Sequence, residues 1–254
     1  MAFLQFSYKS DALGMSVAVN VILPESVKNG TAESYKTLYL LHGLSDDHSA
    51  WMRMTSIERY AQERGIAVVM PSVGRNWYTD VESTGRLYMQ YVADELPRVC
   101  RNYFRGMSDK REDNFIAGLS MGGYGAAKIA LTYPERYGGF ATLSGAIDVA
   151  YCERGYLARE FNAIFGEGAE KPERLRGTKH DPIHLVRELA ASGRPMPRIF
   201  VWCGTEDGLI ESNRMFRSVL SEEGIEHHYS ESEGDHSWRW WDMHIKRAIE
   251  YLMA

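Results

Sequence analysis

The chain has 254 residues, of which 25% are charged and 44% hydrophobic, and its 29 basic and 34 acidic side chains give a formal net charge of −5. A globular chain of this length can bury a large core without disulfides, and its mildly acidic balance argues against nucleic acid as a main partner. The N-terminus lacks a signal-peptide pattern, and the apolar runs are too short to span a bilayer. The 3 cysteines are widely spaced, which suits a reducing compartment. We therefore expect a cytoplasmic protein without a membrane partner.

The predicted strands begin at the N-terminus and recur along the chain. Residues 3–9 and 15–23 alternate apolar and polar side chains, which is typical of half-buried strands, and residues 11–14 join them. The later predicted strands are short apolar runs, typical of strands that are buried on both faces: 37–41, 66–70, 114–118, 140–144 and 198–203. A last strand is predicted at residues 227–232.

Helical patterns separate these strands. The predicted helices cover residues 56–64, 87–103, 123–133, 212–223 and 237–252. Because strand and helix alternate, the sequence indicates an α/β fold whose central sheet is mainly parallel and carries helices on both faces. No internal repeat or low-complexity linker interrupts the chain, so we expect one domain over residues 1–254.

The interval 151–182 departs from this alternation, because glycines and prolines are scattered there among charged residues. We predict a small insertion that lies over one end of the sheet. Long loops in compact domains often line ligand pockets, and an ordinary surface loop with a short helix is the equally weighted alternative.

Residues 118–122 read Gly-Leu-Ser-Met-Gly and fit the pattern G-x-S-x-G. The pattern follows an apolar strand and opens a helix, which is the context in which it presents a nucleophilic serine. Side chains two positions on either side of Ser120 would collide between the strand and the helix, which explains the glycines. The sequence therefore predicts Ser120 as a nucleophile.

A nucleophilic serine needs a general base and a carboxylate that orients the base, and in α/β-hydrolases the acid and then the histidine follow the serine. The strand predicted at 198–203 ends just before Glu206 and Asp207, and either carboxylate fits this position. Of the late histidines, His236 falls in a loop between the last strand and the last helix, whereas His244 falls inside that helix. We therefore predict His236 as the base and leave the acid open between the two carboxylates.

His42 and Gly43 follow an early strand, where the first oxyanion donor of such an enzyme belongs. The expected donors are the backbone N–H groups of Leu44 and of Met121, the residue after the nucleophile. His42 and the side chains at 46–48 superficially suggest metal ligands, but no matching ligand set occurs elsewhere in the sequence. We expect neither a metal nor a cofactor.

Taken together, these motifs resemble the esterase D-like branch of the α/β-hydrolases, and most closely its bacterial tributyrin, feruloyl and acetyl esterases. The resemblance covers essentially the whole chain and rests on residues 38–51, 65–72, 76–80, 113–126, 202–209 and 233–242. It implies an α/β-hydrolase fold with N-terminal antiparallel strands. It also places the nucleophile at Ser120, the acid at Asp207, the base at His236 and the oxyanion amides at Leu44 and Met121.

The resemblance implies a serine carboxylesterase that acts through an acyl-enzyme on a small-molecule ester. Short acyl groups, acetyl to butyryl, are the expected substrates, and feruloyl or acetylated carbohydrate esters are further candidates. Trp51, Trp77, Tyr78 and Trp238 flank the motif loops, and we expect them to form apolar walls of the pocket. Ordinary core packing is the alternative for each of these aromatic side chains.

Two other functions stay open at this stage. S-formylglutathione hydrolases belong to the same broader family and share the SMGG segment, but they typically carry Ser-Gly in place of His42-Gly43 and a histidine in place of Tyr124. The alternative activity is therefore that of a thioesterase. A noncatalytic binding protein on a hydrolase fold is the alternative from another class, and self-association through exposed aromatics remains open.

Overall fold

The computed structural model describes residues 1–30, 33–149, 157–166 and 171–254. Its strands are β1 (Ala2–Ser10), β2 (Met15–Leu23), β3 (Thr37–Leu41), β4 (Ala67–Pro71), β5 (Asp80–Val81), β6 (Arg86–Leu87), β7 (Asn114–Leu119), β8 (Gly139–Leu143), β9 (Arg198–Gly204) and β10 (His228–Ser232). One sheet has the order β1-β2-β4-β3-β7-β8-β9-β10, and β5 pairs with β6 separately.

The α-helices lie between and after these strands. They are α1 (Glu25–Lys28), α2 (Ala50–Met54), α3 (Ile57–Arg64), α4 (Tyr88–Gln90), α5 (Leu96–Tyr103), α6 (Met121–Thr132), α7 (Ala158–Phe165), α8 (Pro182–Ser192), α9 (Ile210–Glu222) and α10 (Trp238–Leu252). A π-helical segment, Tyr91–Glu95, joins α4 to α5. Within the described ranges, none of these helices combines the length and the apolar character that crossing a membrane requires.

The sheet is mainly parallel, as the sequence predicts. The pairs β1–β2 and β2–β4 are antiparallel, and every neighbouring pair from β4 to β10 is parallel. The inner strands β3, β4, β7 and β8 are buried along their whole length, whereas the edge strand β1 alternates between exposed and partly buried residues. This difference in burial explains the difference between the sequences of the inner strands and of β1, because only strands covered on both faces are continuous apolar runs.

Helices cover both faces of the sheet. On one face α5, α6, α8 and α9 contribute to a core that includes Tyr39, Ile116 and Val201. On the other face α2, α3 and α10 pack over a second core that includes Leu38 and Trp202. Successive side chains of a strand point to opposite faces of the sheet, so the neighbours Leu38 and Tyr39 belong to different cores.

The predicted helix 87–103 is wrong as a single element. The chain forms α4, then the π-helical segment, then α5, whose second residue is Pro97. A proline lacks the N–H group that an inner helical position donates, so it is tolerated in a first turn, and the regular helix begins again at Leu96. The short helix α2, the helix α8 and the β5–β6 ribbon were not predicted from the sequence.

The insertion predicted at 151–182 is described only in part, because residues 150–156 and 167–170 lie outside the described ranges. Its described part contains α7, and the ring of Phe161 packs edge-on against Trp77 at a centroid distance of 5.2 Å. The carboxylate of Glu160 pairs with Arg75, which lies in the loop after β4. Helix α7 is thus attached to a loop at the carboxyl edge of the sheet.

Candidate active site

The candidate site forms where neighbouring parallel strands end. The register aligns Leu41 with Gly118 and Leu119 with Leu143, so β3, β7 and β8 end side by side. The carboxyl ends of parallel strands meet at one edge of the sheet, where open α/β sheets bind their ligands. The residues that follow the ends of β3, β7, β8, β9 and β10 at this edge include His42, Ser120, Ser144, Asp207 and His236.

Ser120 sits on a sharp turn between β7 and α6, with φ 52° and ψ −119°. Few non-glycine residues adopt a positive φ, and the backbone is held there by hydrogen bonds from Ser120 N–H to Leu143 O (3.1 Å) and from Ala146 N–H to Ser120 O (3.1 Å). A Cβ atom on Gly122 would lie 2.5 Å from the carbonyl oxygen of Leu41. Glycine is therefore needed where α6 passes over the end of β3.

A hydroxyl, an imidazole and a carboxylate are hydrogen-bonded in series. His236 Nε2 lies 3.0 Å from Ser120 Oγ, and His236 Nδ1 lies 2.8 Å from Asp207 Oδ2. The carboxylate has no exposed side-chain surface, whereas the imidazole is 39% exposed. In this geometry Nε2 can accept the serine proton while Nδ1–H stays bound to the buried carboxylate.

Asp207 is held ionised by its neighbours. Burial raises the pKa of this carboxyl. The lowering contributions outweigh burial: they are the hydrogen bond and the charge of His236, the N–H of Leu209 at 2.8 Å and the hydroxyl of Ser144. The pKa of Asp207 therefore lies below the usual range. Glu206, the other carboxylate considered from the sequence, accepts instead from the N–H of Gly234 at 2.6 Å. It therefore contacts the backbone of the loop that carries His236.

Ser144 bonds to the carboxylate of Asp207 and Trp241 packs against the imidazole of His236. Neither side chain was predicted from the sequence as part of the site. Trp241 Nε1–H donates to Ser144 Oγ at 3.1 Å, and the indole meets the imidazole of His236 edge-on with a centroid distance of 4.9 Å. Ser144 is fully buried and has a φ of 48°. One signal was available for Ser144, because it directly follows β8 at the edge of the sheet where Ser120 follows β7.

The loop after β3 makes a tight turn over residues 43–46. Asp46 N–H donates to Gly43 O at 3.2 Å, and Ser45 has a φ of 75°. His42 braces this turn: its Nε2 accepts from Val73 N–H at 3.1 Å, so its Nδ1 carries the proton and donates to Gly43 O at 2.8 Å. Burial lowers the pKa of His42, so the ring stays neutral.

One of the amides expected to bind an oxyanion lies in this turn and the other at the start of α6. Leu44 belongs to the turn, and Met121 is the first residue of α6, whose N-terminus favours negative charge. Within the described parts of the chain, neither N–H donates a hydrogen bond to another group. Leu44 follows the end of β3 and Met121 the end of β7, and these two strands are neighbours in the sheet.

Of the aromatic side chains predicted to wall the pocket, the structure places Trp238 there and buries the others. Trp51 is fully buried and donates from Nε1 to Leu41 O at 3.0 Å, and Tyr78 is fully buried and donates to His42 O at 2.9 Å. Trp77 is buried against Tyr124 and helix α7. These three side chains pack in the interior beneath the loops. The expectation that they face the ligand is therefore replaced by the alternative, ordinary core packing.

A cavity of about 510 Å³ opens at Ser120 and His236. Apolar side chains of Leu44, Met54, Trp238 and Trp241 line it, together with the carboxylate of Asp46. No group of at least three His, Cys, Asp or Glu side chains in the described ranges is arranged to hold a metal ion. The arrangement can take up a small, largely apolar molecule beside the serine hydroxyl.

Comparison with known proteins places these features in a family. A family model described as "Putative esterase" matches residues 10–252. An acetyl esterase from Caldicellulosiruptor saccharolyticus is 31% identical over 99% of this chain and 98% of its own length.

Solved structures from Staphylococcus aureus share the fold over the whole chain. The fluorophosphonate-binding serine hydrolase FphF with bound substrate has a TM-score of 0.88 at 35% identity and matches 100% of this chain and 98% of its own. The S-formylglutathione hydrolase FrmB has a TM-score of 0.84 at 35% identity and matches 100% of this chain and 99% of its own. The α/β-hydrolase fold and the resemblance to esterase D-like enzymes, both predicted from the sequence, are confirmed.

Proposed function

Because the chain belongs to this esterase family and is a serine hydrolase of carboxylic esters, we propose that Ser120, His236 and Asp207 are its catalytic nucleophile, base and acid. The observation that carries the proposal is the pair of hydrogen bonds that link Ser120 Oγ through His236 to the buried carboxylate, at 3.0 and 2.8 Å. The substrates proposed are small esters with short acyl groups, from acetyl to butyryl.

In the acylation step, Ser120 Oγ attacks the ester carbonyl carbon as His236 Nε2 removes the hydroxyl proton. The C=O bond opens to an oxyanion that the N–H groups of Leu44 and Met121 stabilise, and each such donor is typically worth about 3 kcal/mol. The oxyanion then re-forms the carbonyl and expels the alcohol, which takes the proton from His236. An acyl ester of Ser120 remains.

In the deacylation step, His236 removes a proton from water, and the hydroxide formed attacks the acyl carbon. The second oxyanion uses the same amides, and its collapse releases the carboxylic acid and returns the proton to Ser120. Asp207 stays ionised throughout, because its pKa is lowered by its hydrogen bonds to His236, Leu209 and Ser144. Its charge holds Nδ1–H and stabilises the imidazolium that exists between the two proton transfers.

One observation favours short acyl chains, and the cavity of about 510 Å³ at Ser120, which Met54 and Trp238 help to line, has room for them. The 31% identical relative from Caldicellulosiruptor saccharolyticus is named an acetyl esterase. A second candidate is a thioesterase, because the solved structure of FrmB, which is 35% identical, is that of an S-formylglutathione hydrolase.

The experiment is a substrate panel run on the wild type and on Ser120→Ala. We expect kcat/KM to be highest for acetyl or butyryl 4-nitrophenyl esters and to fall by about 10³-fold or more in the variant. Higher kcat/KM for S-formylglutathione would favour the thioesterase, and rates that rise beyond octanoyl esters would contradict the short-chain proposal. A fluorophosphonate probe should label the wild type and not Ser120→Ala, whereas a noncatalytic binding protein would remain unlabelled.

A further inference from the structure

The cavity beside the candidate nucleophile contains a carboxylate that the proposed mechanism does not use. Asp46 lines the same cavity as Ser120, Leu44 and His236. Gly43 lies between the two side chains, because a Cβ atom placed on it would be 3.2 Å from Asp46 Oδ2 and 3.7 Å from Ser120 Cβ. The carboxylate therefore lines the same cavity as the nucleophile, on the other side of Gly43.

The charge of Asp46 is not neutralised within the protein. Among the described residues, no basic side chain forms an ion pair with it, and its hydrogen bond is to the backbone of Gly43. Burial raises the pKa of this carboxyl, the Gly43 hydrogen bond lowers it, and the nearby charges of Asp47 and Arg53 act in opposite directions. Arg239 also lines the cavity, and its guanidinium stacks over Trp240 at 4.9 Å from the ring centroid.

A partly buried carboxylate interacts strongly with charges in the substrate. A second negative charge brought near it is repelled, whereas a cation or a hydroxyl donor is attracted, and partial burial of the carboxylate strengthens both effects because it lowers the local dielectric. Most of the other lining side chains are apolar, and the positive charge of Arg239 lies against the ring of Trp240. The sign of charge beside the scissile bond should therefore affect turnover.

We propose that Asp46 determines specificity by charge: the site accepts esters that carry a neutral or cationic group next to the scissile bond and rejects esters that carry an anion there. This inference rests on the proposed function, because it concerns the substrate of the same Ser120 site. The substrate class is then short esters that are uncharged, hydroxylated or cationic.

The test uses acetate esters that differ only in charge. Choline, 3,3-dimethylbutanol and isethionate carry a cationic, neutral or anionic tetrahedral group on the same ethyl chain, and their acetates can be followed by titrating the released acid. Ethyl 4,4-dimethylpentanoate and ethyl 3-sulfopropanoate make the same comparison on the acyl side. The readout is the ratio of kcat/KM between neutral or cationic and anionic esters, measured within each variant.

In the wild type, the neutral or cationic ester should exceed the anionic ester by about tenfold or more in at least one series, and Asp46→Asn should bring that ratio close to one. Asparagine keeps an acceptor for Gly43 N–H, so the variant removes the charge with little change in shape. The matched control is Asp47→Asn, which removes the charge of an exposed neighbour whose carboxylate bonds to Ser49, and it should leave the ratio within about twofold of wild type.

Charge selection by Asp46 is overturned if the ratio is the same in the wild type and Asp46→Asn in both series, or if Asp47→Asn changes it equally. Fluorophosphonate labelling separates this failure from failure of the proposed function. A wild type that is labelled and hydrolyses the neutral ester without discriminating charge contradicts only the role of Asp46. A wild type that is neither labelled nor active contradicts both proposals.

Discussion

Ser144 connects the last helix to the candidate catalytic acid. Its hydroxyl accepts the indole N–H of Trp241 and bonds to Asp207, so the carboxylate that orients His236 has three sources of support: Ser144, Leu209 and the imidazole itself. Groups that hold a catalytic residue in place change its rate through geometry and pKa without touching substrate. Ser144 is a positioning residue in this arrangement.

Replacing Ser144 by alanine should lower kcat by about tenfold and move the acid limb of the pH profile to higher pH. The Ser144 hydrogen bond lowers the pKa of Asp207, so its loss raises that pKa and makes the carboxylate a stronger base toward His236. The deprotonation that activates the site therefore occurs at higher pH, and the acid limb of the profile moves with it. The measurement is kcat/KM against pH with 4-nitrophenyl butyrate.

Trp241→Phe tests the same connection from the other end, because phenylalanine keeps a ring beside His236 but loses the N–H that Ser144 accepts. Its acid limb should move in the same direction and less far. Trp240→Phe is the matched control, since Trp240 is adjacent and stacks with Arg239. A purely structural role would lower stability and leave the pH profiles of both Ser144→Ala and Trp241→Phe unchanged.

The sequence was sufficient to select candidate residues whose chemistry is tied to a local motif. Ser120 lies in a pattern whose glycines are required where α6 passes close to β7 and to the end of β3, and His236 lies in a loop at a strand end. It was insufficient for Ser144 and Trp241, because their partners are distant in sequence. Ser144 and Trp241, for example, are separated by 97 positions.

At the scale of elements, strands were predicted more accurately than helices. The buried strands β3, β4, β7 and β8 are continuous apolar runs, and such runs mark both their position and their ends. Trp51 and Tyr78 were misassigned because proximity to a motif in sequence does not fix the direction of a side chain. Their polar atoms bond to carbonyls of Leu41 and His42, which turns the rings inward.

Helix α7 is linked to the turn over residues 43–46 through one arginine. Arg75 binds the carboxylate of Glu160 with two nitrogens, at 2.6 and 2.9 Å, and donates to Ser45 Oγ at 2.7 Å. Lysine in place of Arg75 keeps the charge but cannot bind Glu160 through two nitrogens, so we expect the turn that contains Leu44 to become less rigid. Because an oxyanion donor acts mainly in the transition state, kcat should fall by about three- to tenfold while KM changes little.

The matched control for this link is Arg214→Lys. Arg214 binds Glu231 through the same two-nitrogen geometry, at 2.9 and 2.7 Å, but it joins α9 to β10 at the surface. Steady-state kinetics of both variants on one ester separates the effects. An equal loss of kcat in the two variants, or none in Arg75→Lys, would show that α7 does not help to position the turn.

At the scale of the whole molecule, packing on both faces of the sheet leaves histidines buried in neutral form. His244 on α10 is 2% exposed and stacks on Trp202 with a centroid distance of 3.9 Å, and burial lowers its pKa to about 4. His42 is 1% exposed, and burial lowers its pKa as well. In the unfolded chain both imidazoles return to an ordinary pKa of about 6.5.

The folded state should therefore lose stability as pH falls from about 6.5 toward 4. In that window the unfolded chain binds protons that the folded chain excludes, so the free energy of unfolding decreases by up to about 1.4 kcal/mol per pH unit for each such histidine. Asp207 adds to this loss only at lower pH, because folding lowers the pKa of its carboxyl and the unfolded chain begins to protonate this group only near pH 4. The interval from pH 7 to 5 thus isolates the histidines.

Urea denaturation at pH 7 and pH 5 measures this effect, and His244→Gln assigns it. The wild type should be several kcal/mol less stable at pH 5, and the difference should shrink by about 2 kcal/mol in the variant, even though loss of the stack on Trp202 lowers its stability at both pH values. His184→Gln is the control, because His184 is partly exposed on α8 beside Glu188. If the pH 7 to pH 5 difference were the same in wild type and His244→Gln, exclusion of protons from the α10 face would not be a source of the acid sensitivity.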